Sequence, residues 1–190
     1  MITDPPFGAS YHNDSGRFTG GDGNHKNVWN GPIEGDQTNF DPSRWIEFPK
    51  VVLWGSNHFA NRLPTGTTLV WVKRNEWTLG SFLSDGEIGW MKGGSGVYCY
   101  KDVSMNAAGA NFKKWHENQK PRGLAKWWLD QAKVTDDDIV LDPYMGSGTT
   151  IIEAFHRGCV CIGIEKVEQK FMDAVHRIRI ETSQISLGIE

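Results

Sequence analysis

The stretch that most constrains this chain lies in its last third: Asp142-Pro143-Tyr144-Met145-Gly146-Ser147-Gly148-Thr149-Thr150, set between an apolar run and a helical one. Ile139-Val140-Leu141 has no polar alternation, as expected of a central parallel strand buried on both faces. Glycines at the turn let the backbone approach a ligand, and the helix that follows, about Thr149 to His156, offers free N–H groups. Cys159 to Ile164 reads as the next strand, Glu165 stands at its end, and a last helix covers about Val167 to Arg179. Strand, glycine-rich turn, helix, strand, acid is a βαβ unit of the dinucleotide-binding type, with the acid placed to accept both hydroxyls of a ribose. The turn lacks the third glycine of a NAD fingerprint, and no Gly-Lys-Ser/Thr follows as in a P-loop. A tight turn closing a structural βαβ unit is the alternative.

The 190 residues suffice for one well-buried domain, 1–190. Met1-Ile2-Thr3 reads as the end of a strand, stopped at Asp4-Pro5-Pro6 because proline cannot donate to a ladder. Residues 8–40 are rich in Gly, Asn and Asp and read as a mobile loop, without strand or long helix, that orders on binding. Asp41-Pro42-Ser43 looks like a helix start, Val51 to Trp54 a buried strand, Ser56 to Leu63 a helix, and Thr67 to Val72 a second strand. Ile88 to Met91 and Val97 to Tyr100 are shorter strand candidates, and Leu124, Trp127, Trp128 and Ala132 recur at near-helical spacing over about Gly123 to Lys133.

A net charge of −3 gives no global argument for a nucleic-acid partner. Locally, Lys113, Lys114, Lys120, Arg122 and Lys126 face only Glu117 as an acid, which suits either a solvated face or a track for phosphates. No apolar run is long enough to span a bilayer and the first residues have no secretory pattern, so the expectation is a cytoplasmic protein without a membrane partner. Cys99, Cys159 and Cys161 read as reduced thiols, since no Cys/His set has metal-ligand spacing. The histidines at 12, 25, 58, 156 and 176 read as surface or core residues. Trp77, Trp90 and Trp115 read as core packing with base stacking as the alternative, and Trp127-Trp128 as a packing pair.

Asp4-Pro5-Pro6-Phe7 carries a second chemistry. An amino nitrogen attached to an aromatic ring is a poor nucleophile because its lone pair is delocalised. A carboxylate and a backbone carbonyl that both accept its N–H hydrogens would localise that pair toward an incoming methyl. Two prolines stiffen the backbone and leave carbonyls without local donors, and an adjacent aromatic can stack on a base taken out of a duplex. Alone, the tetrapeptide reads more readily as an ordinary turn.

Taken together and in this order, the motifs resemble the β-class (circularly permuted) amino-DNA methyltransferases, in which the catalytic motif precedes the cofactor motif. Asp4-Pro5-Pro6-Phe7 is similar to that family's Asp-Pro-Pro-aromatic, and Asp142 to Thr150 to its Asp-Pro-Phe-x-Gly-Ser-Gly-Thr-Thr, with Tyr144 for Phe. His116-Glu117-Asn118-Gln119-Lys120-Pro121 resembles its His-Pro-Thr-Gln/Glu-Lys-Pro, and Gly163-Ile164-Glu165 its Gly-(Ile/Val)-Glu. Trp54-Gly55-Ser56-Asn57-His58-Phe59, with Leu63-Pro64 and Trp71, is similar to a segment of phage-type members.

The resemblance implies an α/β, Rossmann-like fold: a mostly parallel twisted sheet with helices on both faces, and 80–116 as a small target-recognition insertion. It implies S-adenosylmethionine as cofactor and DNA as partner, in a bacterial or phage-infected cell, with methyl transfer to adenine N6. Cytosine N4 is the alternative target, and a non-catalytic cofactor- or DNA-binding remnant the alternative class. Asp4 and the Pro5 carbonyl would hold the amine, Pro6 would stiffen the loop, and Phe7 would stack on the base. Asp142, Pro143, Tyr144, Gly146, Ser147, Gly148, Thr149 and Glu165 would bind the cofactor, with Lys120 and Pro121 bordering it; Lys113, Lys114 and Arg122 would meet DNA. Family members carry a longer segment before the tetrapeptide, so either the N-terminal edge of the sheet is truncated or another segment supplies the contact to the cofactor adenine, and a homodimer sheltering that edge is one implied assembly.

Overall fold

The structure, a computed structural model, describes residues 1–8, 35–81, 84–104, 115–116 and 118–183, with the backbone of 12–13 and 31–32. Its strands are β1 (Ile2–Thr3), β2 (His12–Asn13), β3 (Gly31–Pro32), β4 (Val52–Trp54), β5 (Gly66–Val72), β6 (Gly86–Lys101), β7 (Ile139–Asp142) and β8 (Val160–Gly163). The helices are α1 (Arg122–Gln131), α2 (Thr149–His156) and α3 (Glu168–Ser183). One sheet has the order β1-β4-β6-β5, and β7 and β8 form a second, parallel pair. The two abut where β1 meets β7, and Thr3 Oγ1 donates to Asp142 Oδ1 across that junction at 2.6 Å.

β6 explains why two short strands looked separate in the sequence. Residues 86–92 run antiparallel along β5, from Val72–Gly86 to Gly66–Lys92. The chain then turns through Gly93 and Gly94, both at positive φ, and residues 97–101 return parallel to β5 from Thr68–Val97 to Val72–Lys101. β5 is thus clasped by both arms of one ribbon. β4 pairs antiparallel with the first arm and parallel with β1. The sheet is therefore mixed rather than mostly parallel: 86–92 lies between β4 and β5 and 97–101 runs along the outer side of β5, so 86–101, within the span expected as an insertion, belongs to the sheet.

Alternation along β4 separates the two faces. Val52 and Trp54 join Leu69, Trp71, Val140 and the buried side of α1, namely Leu124, Ala125, Trp128 and Leu129. These positions recur at helical spacing, and each large apolar side chain removed from water contributes about 1.5–3 kcal/mol. Val51 and Leu53 point the other way, onto Phe40, Phe59 and Trp90. That second face is covered by turns instead of a helix. Residues 42–48 make isolated turns after an Asp41–Ser43 side-chain bond, and 56–62 make two short 3-10 turns, Ser56–His58 and Ala60–Arg62. Helices on both faces were expected; here the chain between Phe40 and Leu63 is too interrupted by Pro42, Pro49 and Gly55 to propagate one.

Two further expectations change. β1 ends the hydrogen-bonded four-stranded sheet and abuts β7, so its outer side is covered by the β7–β8 pair. Within 8–40, β2 and β3 pair antiparallel, and Asp36 and Phe40 are buried, so the C-terminal end of this span is anchored. Its remaining residues, His25 among them, lie outside the described residues.

Candidate active site

The parallel strands β1, β4, β5, β7 and β8 all end at one side of the sheet, where chain polarity places the residues that follow them around one cavity of about 1100 Å³. Asp4 to Phe7 follow β1, Gly55 follows β4, Lys73 and Arg74 follow β5, Pro143 to Ser147 follow β7, and Ile164 and Glu165 follow β8. The antiparallel first arm of β6 begins at the same end and adds Gly86 and Glu87. The two sequence motifs, about 140 residues apart, thus meet in space.

Asp4 is paired with Lys120. Lys120 Nζ lies 2.7 Å from Asp4 Oδ2 and 2.8 Å from Glu87 Oε2, and Lys73 Nζ lies 3.1 Å from Glu87 Oε1. Both ammonium groups lie about 6 Å from the Trp71 ring centroid, at the limit of a cation–π contact. Burial raises the Asp4 carboxyl above the ordinary range, against the pull of Lys120. Burial acts on Glu87 in the same sense, but Lys120 and Lys73 outweigh it and bring Glu87 down to about 2. Lys120 is raised, because its two carboxylates overcome its own desolvation.

The backbone after Asp4 is fixed by Asp36, whose Oδ1 accepts the N–H groups of Phe7 (3.1 Å) and Gly8 (2.8 Å). Phe7 stacks on His58 with ring centroids 4.2 Å apart and planes 2° from parallel. Gly55 makes room for it: at φ +68°, a Cβ there would stand 2.2 Å from Phe7 Cε1.

Across the cavity, the turn after β7 is clamped to the end of β8 by Ile164 N–H to Asp142 O and Met145 N–H to Ile164 O, both 2.9 Å. Behind it, fully buried Arg177 of α3 donates from Nη1 to Ser147 O, Ser147 Oγ and Thr149 Oγ1 at 2.9–3.1 Å. Glu181 Oε1 accepts its Nε at 2.6 Å. Gly148, at φ +76° and packed on Ile178, turns the chain into α2. Asp142 is buried, and burial pushes its carboxyl up to about 6 despite bonds from Thr3 and Thr150 and the Tyr144 N–H. Glu165 accepts the Val167 N–H at 2.9 Å, which fixes it at the mouth ahead of α3.

Of the expected cofactor and catalytic residues, Gly148 and Pro121 do not line the cavity; the others do. Lys120 points inward to Asp4. Arg122 spends its guanidinium on Glu153, Glu181 and His156. Lys113 and Lys114 lie outside the described residues. Within the basic stretch, Lys120 and Arg122 are thus both engaged with carboxylates. Trp90 is buried and Trp115 rests edge-on against His176, but Trp77 is 81% exposed and belongs to no core. Sequence reasoning missed Asp36, Glu87, Lys73 and Arg177, whose roles depend on which strand ends meet.

The DNA methylase family profile matches residues 21–176. The chain belongs to this DNA methylase family. Among curated relatives, the chain is similar to the type II methyltransferase M.HindIII of Haemophilus influenzae, 29% identical over 140 residues, which are 67% of this chain and 45% of that protein. It is also similar to the type II methyltransferase M.HinfI of Haemophilus influenzae, 44% identical over 66 residues, which are 34% of this chain and 18% of that protein. The chain spans less than half the length of these curated relatives. Among solved structures, it resembles the M1.HpyAVI-SAM complex with a TM-score of 0.53 and 20% identity, over 93% of this chain and 86% of that one. It also resembles the cytosine-N4-specific PvuII DNA methyltransferase, with a TM-score of 0.54 and 12% identity over 99% and 86%. These two likenesses show a shared α/β methyltransferase fold.

Proposed function

We propose that this chain transfers a methyl group from S-adenosylmethionine to an exocyclic amino nitrogen of DNA, with adenine N6 as the target. The observation that carries this reading is the meeting of Asp4-Pro5-Pro6-Phe7 and the Asp142–Thr149 turn in one cavity, in a chain of the DNA methylase family. The cavity residues fit the cofactor. Asp142 offers a buried carboxylate to a cationic methionyl group, and Glu165 offers an acid to a ribose at the far end. Trp128 lines the floor with a buried indole N–H that has no partner among the described residues, and a bound acceptor would satisfy it.

S-adenosylmethionine, when bound, supplies an electrophilic methyl, so that an N–C bond forms as the C–S bond breaks with its electron pair leaving on sulfur. The chain's own residues position the amine and accept its hydrogen. Asp4 and the Pro5 carbonyl take the two N–H bonds, the lone pair turns out of the ring plane, and the proton lost from nitrogen passes to Asp4 or to solvent. Phe7, steadied by His58 and Gly55, stacks on the base. Positioning and fixed charges carry such a displacement, without a covalent enzyme intermediate. The thiols of Cys159 and Cys161, raised by burial, have no part in it. Incubation with tritiated cofactor and mixed-sequence DNA tests the reading: label transfer supports it, and no transfer above an Asp4→Ala control overturns it.

DNA meets the chain, in this reading, at the loop joining β5 to β6. Lys73 and Arg74 enter the cavity from this loop, and Trp77 projects from its Glu76–Thr78 turn. Base stacking on an aromatic contributes about 1–3 kcal/mol. Trp77→Ala is therefore expected to weaken DNA binding about tenfold or more, leaving cofactor affinity unchanged; fluorescence anisotropy on labelled DNA checks this.

Cofactor binding is expected to depend on pH through Asp142. The free protein holds this carboxyl near 6, and only its ionised form attracts a cation. Affinity should be full above about pH 6 and fall as pH drops through it, by at most about tenfold per unit. Calorimetry between pH 5 and 8 checks this, and Asp142→Asn should flatten the profile.

A further inference from the structure

Glu87 and Lys73 are charged groups at the active cavity that neither the sequence motifs nor the family resemblance assigns. They form a chain of alternating charge, Lys73–Glu87–Lys120–Asp4, with contacts of 3.1, 2.8 and 2.7 Å. Its placement follows from strand register: Glu87 faces Trp71 across the antiparallel pair, Lys73 follows the end of β5, and Lys120 reaches in from the segment ahead of α1. Lys120's side chain is 13% exposed, so its ammonium cannot exchange these partners for bulk water without rebuilding the site.

We propose that Glu87, acting through Lys120 and backed by Lys73, is the positioning residue for Asp4, holding one carboxylate oxygen in place so that the other can accept the target amine. This rests on the amino-methyltransferase reading above. The geometry gives the reason for a second carboxylate. An ammonium paired with Asp4 alone would be drawn over both oxygens and compete with the incoming amine. Glu87 draws it to the other side, so that it meets Asp4 at Oδ2. Lys73 compensates the negative charge that Glu87 adds.

The groups acting on Asp4 are Lys120, Glu87 and Lys73 in this network and Asp142 on the neighbouring strand end. Their signs make the proposal specific. Removing Lys120 withdraws a cation and should move the Asp4 titration upward. Removing Glu87 withdraws an anion and should move it downward. A side chain that merely packs would move both in one direction, or neither.

The test is the titration of the Asp4 carboxyl in the free protein, followed by carbon-13 NMR and assigned by its loss in Asp4→Asn. Lys120→Met is expected to raise the midpoint by about 1–3 units, and Glu87→Gln to lower it by about one unit. Should Lys120→Met fail to fold, Lys73→Met takes its place, with a smaller upward shift. The pH dependence of single-turnover methyl transfer should show its acid limb moving in the same opposite directions. Midpoints unchanged in the folded variants, or displaced the same way, overturn the proposal. The NMR arm needs no turnover, so a wild-type protein that transfers no methyl refutes the methyltransferase reading separately.

Discussion

Asp4→Asn is expected to abolish methyl transfer, lowering the single-turnover rate by about a thousandfold or more, while cofactor affinity and the melting temperature change little. The substitution conserves shape and removes the anionic acceptor. The asparagine nitrogen donates where the reaction needs acceptance, and its neutral carbonyl cannot take up the charge that develops on the amine. Losing one preorganised polar group at a reacting centre costs about 10²–10³ in rate, and this loss also removes the proton acceptor. Stability should survive because burial already disfavours the Asp4 charge, and Lys120 keeps Glu87 as a partner at 2.8 Å. Single-turnover label transfer alongside thermal melts separates the two effects. A variant that loses turnover only because it unfolds would contradict this account of Asp4.

Arg177→Met should have the largest effect on stability. The guanidinium is 1% exposed and joins Glu181 of its own helix to Ser147 and Thr149 at the start of α2. Methionine fills much of the space but takes the donor away from the Ser147 carbonyl and two hydroxyls, and leaves Glu181 with Arg122 alone. Breaking a buried ion pair from one side costs about 3–5 kcal/mol, which for a domain of this size lowers the melting temperature by about 10 °C. Cofactor affinity should fall as well, because the same bonds hold the glycine turn in place. Differential scanning fluorimetry and calorimetry check the two parts. If stability falls while affinity does not, Arg177 supports the helix but does not order the turn.

What was legible in the sequence follows from the range of the forces involved. The β7–α2–β8 unit is local: an apolar run, a glycine turn and a helix whose observed bounds, Thr149–His156, are those its pattern predicts. The ribbon Gly86–Lys101 was legible only as two short strands. Nothing in Ile88–Met91 or Val97–Tyr100 says that both pair with the same strand. Ser56–Leu63 has enough apolar residues for a helix, yet the tertiary need to pack Phe59 while leaving Gly55 open for Phe7 breaks it into turns.

The candidate site divides in the same way. Asp4 and Asp142 stood out because their neighbours, prolines in one case and glycines in the other, carry a local chemical signature. Lys120 stood in a motif, but its sequence neighbours suggested a solvated basic face. The structure turns it inward because Glu87, 33 positions earlier, ends up beside Asp4. Arg177 looks like any charged residue on an amphipathic helix until α3 is laid against the turn before α2. Asp36 sits in a stretch whose composition suggests only a loop, and its burial beneath the Phe7–Gly8 backbone has no sequence signal.

The central claim is that one cavity brings a carboxylate and a cofactor turn together to methylate an exocyclic amine. The most direct measurement is enzymatic digestion of DNA treated with this protein and deuterium-labelled S-adenosylmethionine, followed by mass spectrometry of the nucleosides. The account predicts labelled N6-methyl-2′-deoxyadenosine from the wild-type protein and none from Asp4→Asn. Label on cytosine N4 alone would contradict the adenine assignment, and label on a ring carbon, or on no nucleoside, would contradict the account of the site itself.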